Sequence, residues 1–294
     1  MKTFMNLAQY VHPITKKPIV FYDNWLRNGE GEKCAFWDTE YRRLDWIKAL
    51  SFPGLDDRVL KEISKYDDWA SGSSNSKFNK VNLESFSIVE QPIYKNSETL
   101  RKSGLNLQKT VKGKKILDIG GSCIDTWRFL AAGASSVEQI EVSANSQKLG
   151  FNRIQGKLGE SERITFHTCP AEFLPFRDES FDLVFSRSSI HHTMRSQSIP
   201  EIHRVLRKNG MFLFFEPTQT RFFNALMHTT RKIRHVDRGT DDPLTIKDFR
   251  LLKKLFRDVS IYPESTTRQS WQVAISWVGL SKKRAPQPIL FGYK

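Results

Sequence analysis

The chain has 294 residues, enough for one large domain or for a catalytic domain with a substantial N-terminal addition. An apolar fraction of 39% excludes wholesale disorder. No stretch has the form of a signal peptide or the roughly 18 apolar residues that span a bilayer, so a soluble, cytoplasmic protein is expected. The formal charge of +14 favours anionic partners such as nucleic acid, a phosphorylated substrate or an anionic glycan, or else marks only a well-solvated basic surface.

Cys34, Cys123 and Cys169 are far apart and form no CxxC pair, so neither a disulfide framework nor a cysteine zinc site is expected. The histidines are scattered apart from His191–His192, and adjacent histidines without HExxH-type spacing do not make a metal site. No metal is expected.

Up to residue 111, strands and helices do not alternate clearly. Trp25, Trp37, Trp46 and Trp69 lie among charged residues, and Ser71–Ser76 reads as a flexible loop. From Lys112 onward, short apolar runs alternate with amphipathic segments, the pattern of a parallel sheet with crossover helices. The runs are Lys115–Ile119, Val137–Val142, Ile164–His167, Phe181–Phe185 and Met211–Phe215, each apolar on both faces as in a sheet covered on both sides. A helix-compatible segment, Trp127–Ala132, follows the first of them.

A stronger helix is predicted from Ile199 to Lys208, with Pro200 and Glu201 in its first turn, Ile202, Val205 and Leu206 on one face, and Gly210 ending it. Thr245 and Asp248 are spaced to cap a further helix carrying Ile246, Phe249, Leu252 and Leu255. Val259–Tyr262 and Trp271–Val278 read as two closing strands. The expected fold is α/β, a Rossmann-like and mostly parallel sheet with an antiparallel last strand. It is expected to divide into residues 1–111, an added recognition or cap segment, and residues 112–294. Ligands of such a sheet sit beyond the strand C-termini.

The first strand enters a glycine-containing turn, KKILDIGGSCID (Lys114 to Asp125), where glycines allow close backbone approach and a helix N-terminus offers unpaired N–H groups. The second strand ends at Glu141, a carboxylate placed to accept both hydroxyls of a ribose. CPAEFLPFRDESFDLVFSRSSIHH (Cys169 to His192) and EIHRVLRKNGMFLFFEP (Glu201 to Pro217) follow in order. Together these segments resemble class I S-adenosylmethionine-dependent methyltransferases, within them the type 11 group that contains the ubiquinone and menaquinone C-methyltransferases. The resemblance covers about residues 112 to 280.

It implies S-adenosylmethionine as cofactor. Asp118, Gly120, Gly121 and Ser122 would form the turn around its methionine part, Glu141 would hold the ribose, and Val142 would lie against the adenine. Ala171 and Glu172 would border the adenine edge, and Ser186 and Arg187 would face the methionine and substrate side. Two departures stand out: Ser122 and Ile124 replace the second and third turn glycines, and Pro170 replaces the aspartate common at the adenine amino group.

Methyl transfer from a sulfonium needs chiefly in-line positioning and water exclusion, with a base only where the acceptor loses a proton. His191 is the first candidate for that base and His192 the second, each weighed against a packing role; Glu216 is a weaker third. SRSSIHH stands where amino-directed nucleic-acid methyltransferases carry [DN]PP[YF]. That favours an oxygen or carbon of a small molecule or glycan, possibly anionic. The basic charge, with Arg221, Arg231, Lys232, Arg234 and Arg238 in the insertion Thr218–Asp242, keeps nucleic acid open as partner and an RNA methyltransferase as alternative. A non-catalytic, methyltransferase-like binding protein is the other alternative.

Overall fold

The computed structural model describes residues 7–53, 57–71, 104–121, 123–158, 163–218, 243–262 and 289–294. Eleven strands form one sheet in the order β1-β2-β3-β4-β7-β6-β5-β8-β9-β11-β10. The N-terminal strands are β1 (Val20–Tyr22), β2 (Trp25–Arg27), β3 (Lys33–Asp38) and β4 (Arg43–Asp45). The later ones are β5 (Lys115–Ile119), β6 (Ser136–Glu141), β7 (Ile164–Thr168), β8 (Phe181–Arg187), β9 (Leu206–Phe215), β10 (Arg257–Tyr262) and β11 (Ile289–Tyr293). Strands β4 to β9 pair in parallel in this order, and β11 runs antiparallel to both β9 and β10. The order reverses between β5 and β8, which is where a doubly wound sheet opens a ligand crevice.

Six α-helices lie among the described residues: α1 (Asp57–Ser71), α2 (Leu107–Val111), α3 (Ile124–Ala131), α4 (Ala144–Leu158), α5 (Arg195–Val205) and α6 (Ile246–Leu255). The strands divide their apolar side chains between two cores because successive residues point to opposite faces. Leu117, Val184, Phe212 and Phe214 face one core with Ile199 and Ile202 of α5 and Leu252 of α6. Ile116, Leu183, Phe185, Leu213 and Phe215 face the other, with Phe129 of α3 and Ile154 of α4.

The central strands stand where the sequence places them, to within two residues at either end except at β9. The expected helix 199–208 instead spans Arg195–Val205, so Pro200 lies inside it rather than in its first turn, and Leu206–Lys208 already belong to β9. Proline removes one N–H from the ladder, and Ile199, Ile202 and Val205 hold the helix by burial. The Thr245–Asp248 capping box forms as read, with the Thr245 N–H donating to Asp248 Oδ2 at 2.7 Å. The predicted strand Trp271–Val278 and residues 219–242 of the basic insertion lie outside the described residues, as do residues 72–76 of the Ser71–Ser76 loop. The antiparallel strand beside β9 is Ile289–Tyr293, which the sequence reading did not mark.

Residues 169–180, between β7 and β8, form no helix. The sheet face left there is covered by the N-terminal segment, whose Tyr10, Leu26, Leu44 and Trp46 join the core of Leu117 and Ile140. β4 then extends the parallel sheet by pairing with β7, Asp45 opposite Thr168. A buried polar network seals the seam. The Trp46 indole N–H donates to His167 Nδ1 at 3.2 Å, His167 Nε2 lies 2.8 Å from Glu138 Oε2, and Gln9 Nε2 donates to Glu138 Oε1 at 2.7 Å. An indole only donates, so Nδ1 is bare and Nε2 carries the proton it gives to Glu138.

Trp46→Phe keeps an aromatic side chain but removes that donor and leaves part of the buried indole volume unfilled. It is expected to cost about 1–3 kcal/mol, the penalty of an unsatisfied buried acceptor, read from urea unfolding at neutral pH. A loss below about 0.5 kcal/mol, within the range of an inert surface change, would show that the network does not hold the segment.

Candidate functional site

The C-terminal ends of β5, β6, β8 and β9 bring together Asp118, Gly120, Gly121, Glu141, Ser186, His191 and Glu216. β5 turns sharply after Ile119: Gly120 and Gly121 have φ of +74° and +83°, and Cys123 adopts φ of 60°. A Cβ on Gly120 would overlap the Ser189 side chain, so the turn and the loop after β8 fit together only with glycine there. Among the described residues a Cβ on Gly121 would meet nothing within 4 Å, so they leave this side of the turn open to a ligand. Ser122 lies outside the described residues. Ile124 is the first residue of α3, where glycine has no conformational advantage.

Asp118 is buried and accepts a hydrogen bond from Thr126 Oγ1 at 2.5 Å. Burial raises its pKa to about 7, against the Thr126 bond and the Arg187 charge. Arg187 at the end of β8 pairs with Asp125 of α3. Glu141 ends β6, and its Oε1 accepts the Val142 N–H at 2.8 Å and the Ser143 N–H at 3.2 Å. Its pKa is also raised to about 7, by burial first and then by Asp67 and Glu62, against those two N–H groups. Val142 is half-buried beside it.

Ala171 and Glu172 are buried in the turn after β7. Glu172 Oε1 accepts the Met194 N–H at 2.6 Å, at the start of α5. Pro170 is buried next to them, and its carbonyl accepts the Phe173 N–H.

Glu216, with no solvent exposure at the end of β9, organises the loop after β8. Its Oε1 accepts Ser186 Oγ at 2.8 Å, the Ser189 N–H at 2.9 Å and the Ile190 N–H at 3.0 Å. Its Oε2 lies 2.6 Å from His191 Nδ1. Burial pushes this carboxyl up, but the His191 hydrogen bond and charge and the backbone donors outweigh it and hold the pKa below the ordinary value. Glu216 therefore stays ionised and fixes the His191 ring, a pairing that gives an imidazole one tautomer and one orientation. The sequence reading weighed Glu216 only as a base of its own; the structure makes it the partner of His191.

The His192 ring packs on that of His191 with centroids 4.0 Å apart. Helix α1 supplies residues that sequence reasoning missed. Glu62 Oε1 is 3.7 Å from His192 Nδ1, and the Tyr66 ring meets His192 edge-on at 6.1 Å. Asp67 bonds Ser143 Oγ and, at 3.3 Å, the Asn145 N–H at the start of α4. No motif marks these residues, because α1 buries Glu62 and leaves Leu60 exposed, against the usual amphipathic order.

Residues 117–214 match a family model described as a methyltransferase domain. The chain is 27% identical over 175 residues to a sarcosine/dimethylglycine N-methyltransferase of Aphanothece halophytica, covering 56% of this chain and 61% of that protein. It is 33% identical over 122 residues to the ubiquinone/menaquinone biosynthesis C-methyltransferase UbiE of Hahella chejuensis, covering 40% and 47% of the two chains. In these comparisons it therefore spans less than two thirds of the relative's length. The crystal structure of YcgJ from Bacillus subtilis superposes with a TM-score of 0.49 at 16% identity, over 67% of this chain and 98% of that one.

The raised pKa values of Asp118 and Glu141 set a stability trend. Between their ordinary pKa values and about 7 the folded protein holds protons that the unfolded chain has released. Their contribution is therefore full below about pH 4 and lost as pH rises through about 7. Asp118→Asn, which cannot ionise, should gain stability relative to wild type between pH 6 and 8 in urea unfolding. An unchanged difference across that interval would show that Asp118 is ionised throughout.

Proposed function

We propose, for a chain whose residues 117–214 match a methyltransferase-domain family model, that it transfers a methyl group from S-adenosylmethionine to an oxygen or carbon of a small-molecule or glycan acceptor. The observation that carries this reading is the His191–Glu216 pair, an oriented imidazole at the strand ends beside a glycine turn open to a ligand.

The residues present fit this cofactor. Gly121 leaves room for a close approach, Glu141 is a carboxylate suited to two ribose hydroxyls, and Asp118 backs the turn from inside. Val142, Ala171 and Glu172 would line the adenine side, and Ser186 the methionine side. The bound cofactor supplies an electrophilic methyl on a cationic sulfur. The chain's own task is to hold the acceptor in line and keep water out.

His191 Nδ1 is engaged by Glu216, so Nε2 is the atom that takes the acceptor's proton, and ionised Glu216 stabilises the imidazolium that results. His192 would position the acceptor against this ring. Residues 1–111 would act as the acceptor-recognition segment, supported by the approach of Glu62 and Tyr66 to His192. The carboxylates Glu62, Asp67, Asp118, Glu141 and Glu216 around the site favour an uncharged acceptor over an anionic one.

S-adenosylhomocysteine should raise the melting temperature of the protein, and Glu141→Ala should remove most of that shift. Ribose hydroxyls donate best to the ionised carboxylate, so affinity should rise about tenfold from pH 6 to pH 8 as Glu141 ionises around its pKa of about 7. The absence of any shift at millimolar ligand would overturn the cofactor assignment and leave a non-catalytic binding protein.

His191→Ala should lower turnover by about 10²–10⁴-fold with cofactor affinity nearly constant. Glu216→Gln should lower turnover in the same direction. The assay is product formation with an acceptor found by screening hydroxyl and carbon-acid compounds. A His191→Ala variant keeping more than about a third of wild-type turnover, far short of a lost base, would assign the reaction to positioning alone.

A further inference from the structure

His191 is held from two sides. Glu216 takes its ring and, at 3.4 Å, its backbone N–H. The carbonyls of Ser189 and Ile190 are used within the loop itself, by the His192 and Thr193 N–H groups at 3.0 Å each. The His191 carbonyl instead accepts from Arg195 Nη1 at 3.1 Å, so the peptide that follows the imidazole is anchored outside the loop.

Arg195 is the first residue of α5, which is fixed by the burial of Ile199 and Ile202 and, just before it, by the Met194 N–H on Glu172. Its guanidinium serves a second partner as well. Nε lies 2.9 Å from Asp248 Oδ1, with the two side chains 16% and 12% exposed. Asp248 Oδ2 accepts the Thr245 N–H at 2.7 Å and Thr245 Oγ1 at 2.8 Å, so this carboxylate is itself held by the first turn of α6. That turn follows Leu244, whose N–H donates at 2.8 Å to the carbonyl of Pro217, the residue after Glu216. One guanidinium therefore joins α5, α6 and the His191 peptide, a fork that an ammonium group cannot reproduce. A largely buried ion pair is weak as a source of stability, but it fixes the orientation of both its groups.

We propose that Arg195 is a positioning residue for His191, clamping the histidine loop by its backbone from α5 and held in that pose by Asp248 of α6. The proposal rests on the assignment of His191 as the base. Glu216 sets the tautomer of the ring, and Arg195 sets the peptide that carries it. A base must be placed to within a fraction of an ångström, and a misplacement of about 1 Å costs on the order of a hundredfold in rate.

The test is hydrogen–deuterium exchange of the full-length protein, read by mass spectrometry alongside steady-state kinetics. Arg195→Met keeps a side chain of similar reach and removes its donors. Exchange over residues 188–193 should rise about tenfold, the effect of losing one hydrogen bond from a charged donor. Turnover should fall by about ten- to a hundredfold, with S-adenosylhomocysteine affinity kept. In a His191→Ala background the same substitution should cost no further turnover, because the base it positions is gone. Asp248→Asn leaves an acceptor for Thr245 and removes the charge that holds Arg195, so it should move loop exchange and turnover in the same direction by a smaller amount.

Unchanged exchange over residues 188–193 in Arg195→Met would overturn the proposal. So would a further loss of turnover in the His191→Ala background, which would make Arg195 a structural tie between α5 and α6. If Arg195→Met does not fold, Asp248→Asn decides on the same measurement, and loop exchange equal to that of wild type overturns the proposal. A wild type that methylates no acceptor would remove the base assignment instead, and the exchange result separates the two failures because it needs no acceptor.

Discussion

A carboxylate with no solvent exposure must find donors for its oxygens, and Glu216 finds them at the end of β8 and in the loop that follows it. Ser186 Oγ, three backbone N–H groups and the His191 ring converge on it, so the loop has little freedom to take another path. Ser188 accepts a φ of 54° within that path, a strain the surrounding bonds enforce. Ser189 in turn sits where a Cβ on Gly120 would be. The glycine turn after β5 and the histidine loop after β8 are thus shaped by each other across the point where the strand order reverses. One buried charge thus shapes both the histidine loop and, through Ser189, the backbone of the glycine turn.

The N-terminal segment is part of the same construction. Where a doubly wound sheet would carry a crossover helix between β7 and β8, residues 169–180 run without one, and Tyr10 and Trp46 occupy the face. Glu138 and His167 would be costly there without partners; Gln9, Tyr10 and Trp46 supply them. The docked segment then delivers α1 to the ligand end of the sheet, because β4 pairs with β7 in parallel and reaches the same edge. The covering of a bare sheet face and the placement of Glu62 and Asp67 at the site are therefore consequences of one packing event.

The legible parts of the sequence were those with a strong period or a local motif. The runs from β5 to β9 are apolar on both faces, and the Thr245–Asp248 box is local chemistry, so both could be read. β1 to β4 escaped because strands of three to six residues show too little alternation. Gly210 suggested a helix running to Lys208, but strand pairing with β8 begins at Leu206, a tertiary decision that overrides local propensity. β11 escaped since ILFGY near the end of the chain has no motif, only a partner strand 74 residues away at the pair Phe215–Ile289. The strand-end residues of the site could be named because ordered motifs carried them. Glu216 could be named too, but its pairing with His191 could not, and Glu62 and Asp67 could not be named at all, since these contacts form through space.

The chain is basic overall, while the described residues at the strand ends are mostly acidic. The sequence carries +14 overall, yet the residues that converge on the strand ends are mostly carboxylates, with Arg187 already paired to Asp125. Net charge describes how a protein meets its partners at long range, while the local groups decide what binds within a few ångströms. Burial first, and neighbouring carboxylates second, raise Asp118 and Glu141 to about 7. Such a site gains most from a ligand that brings positive charge, and a sulfonium does so without needing a proton. A field that disfavours an anionic ligand would favour a cationic one in the same place.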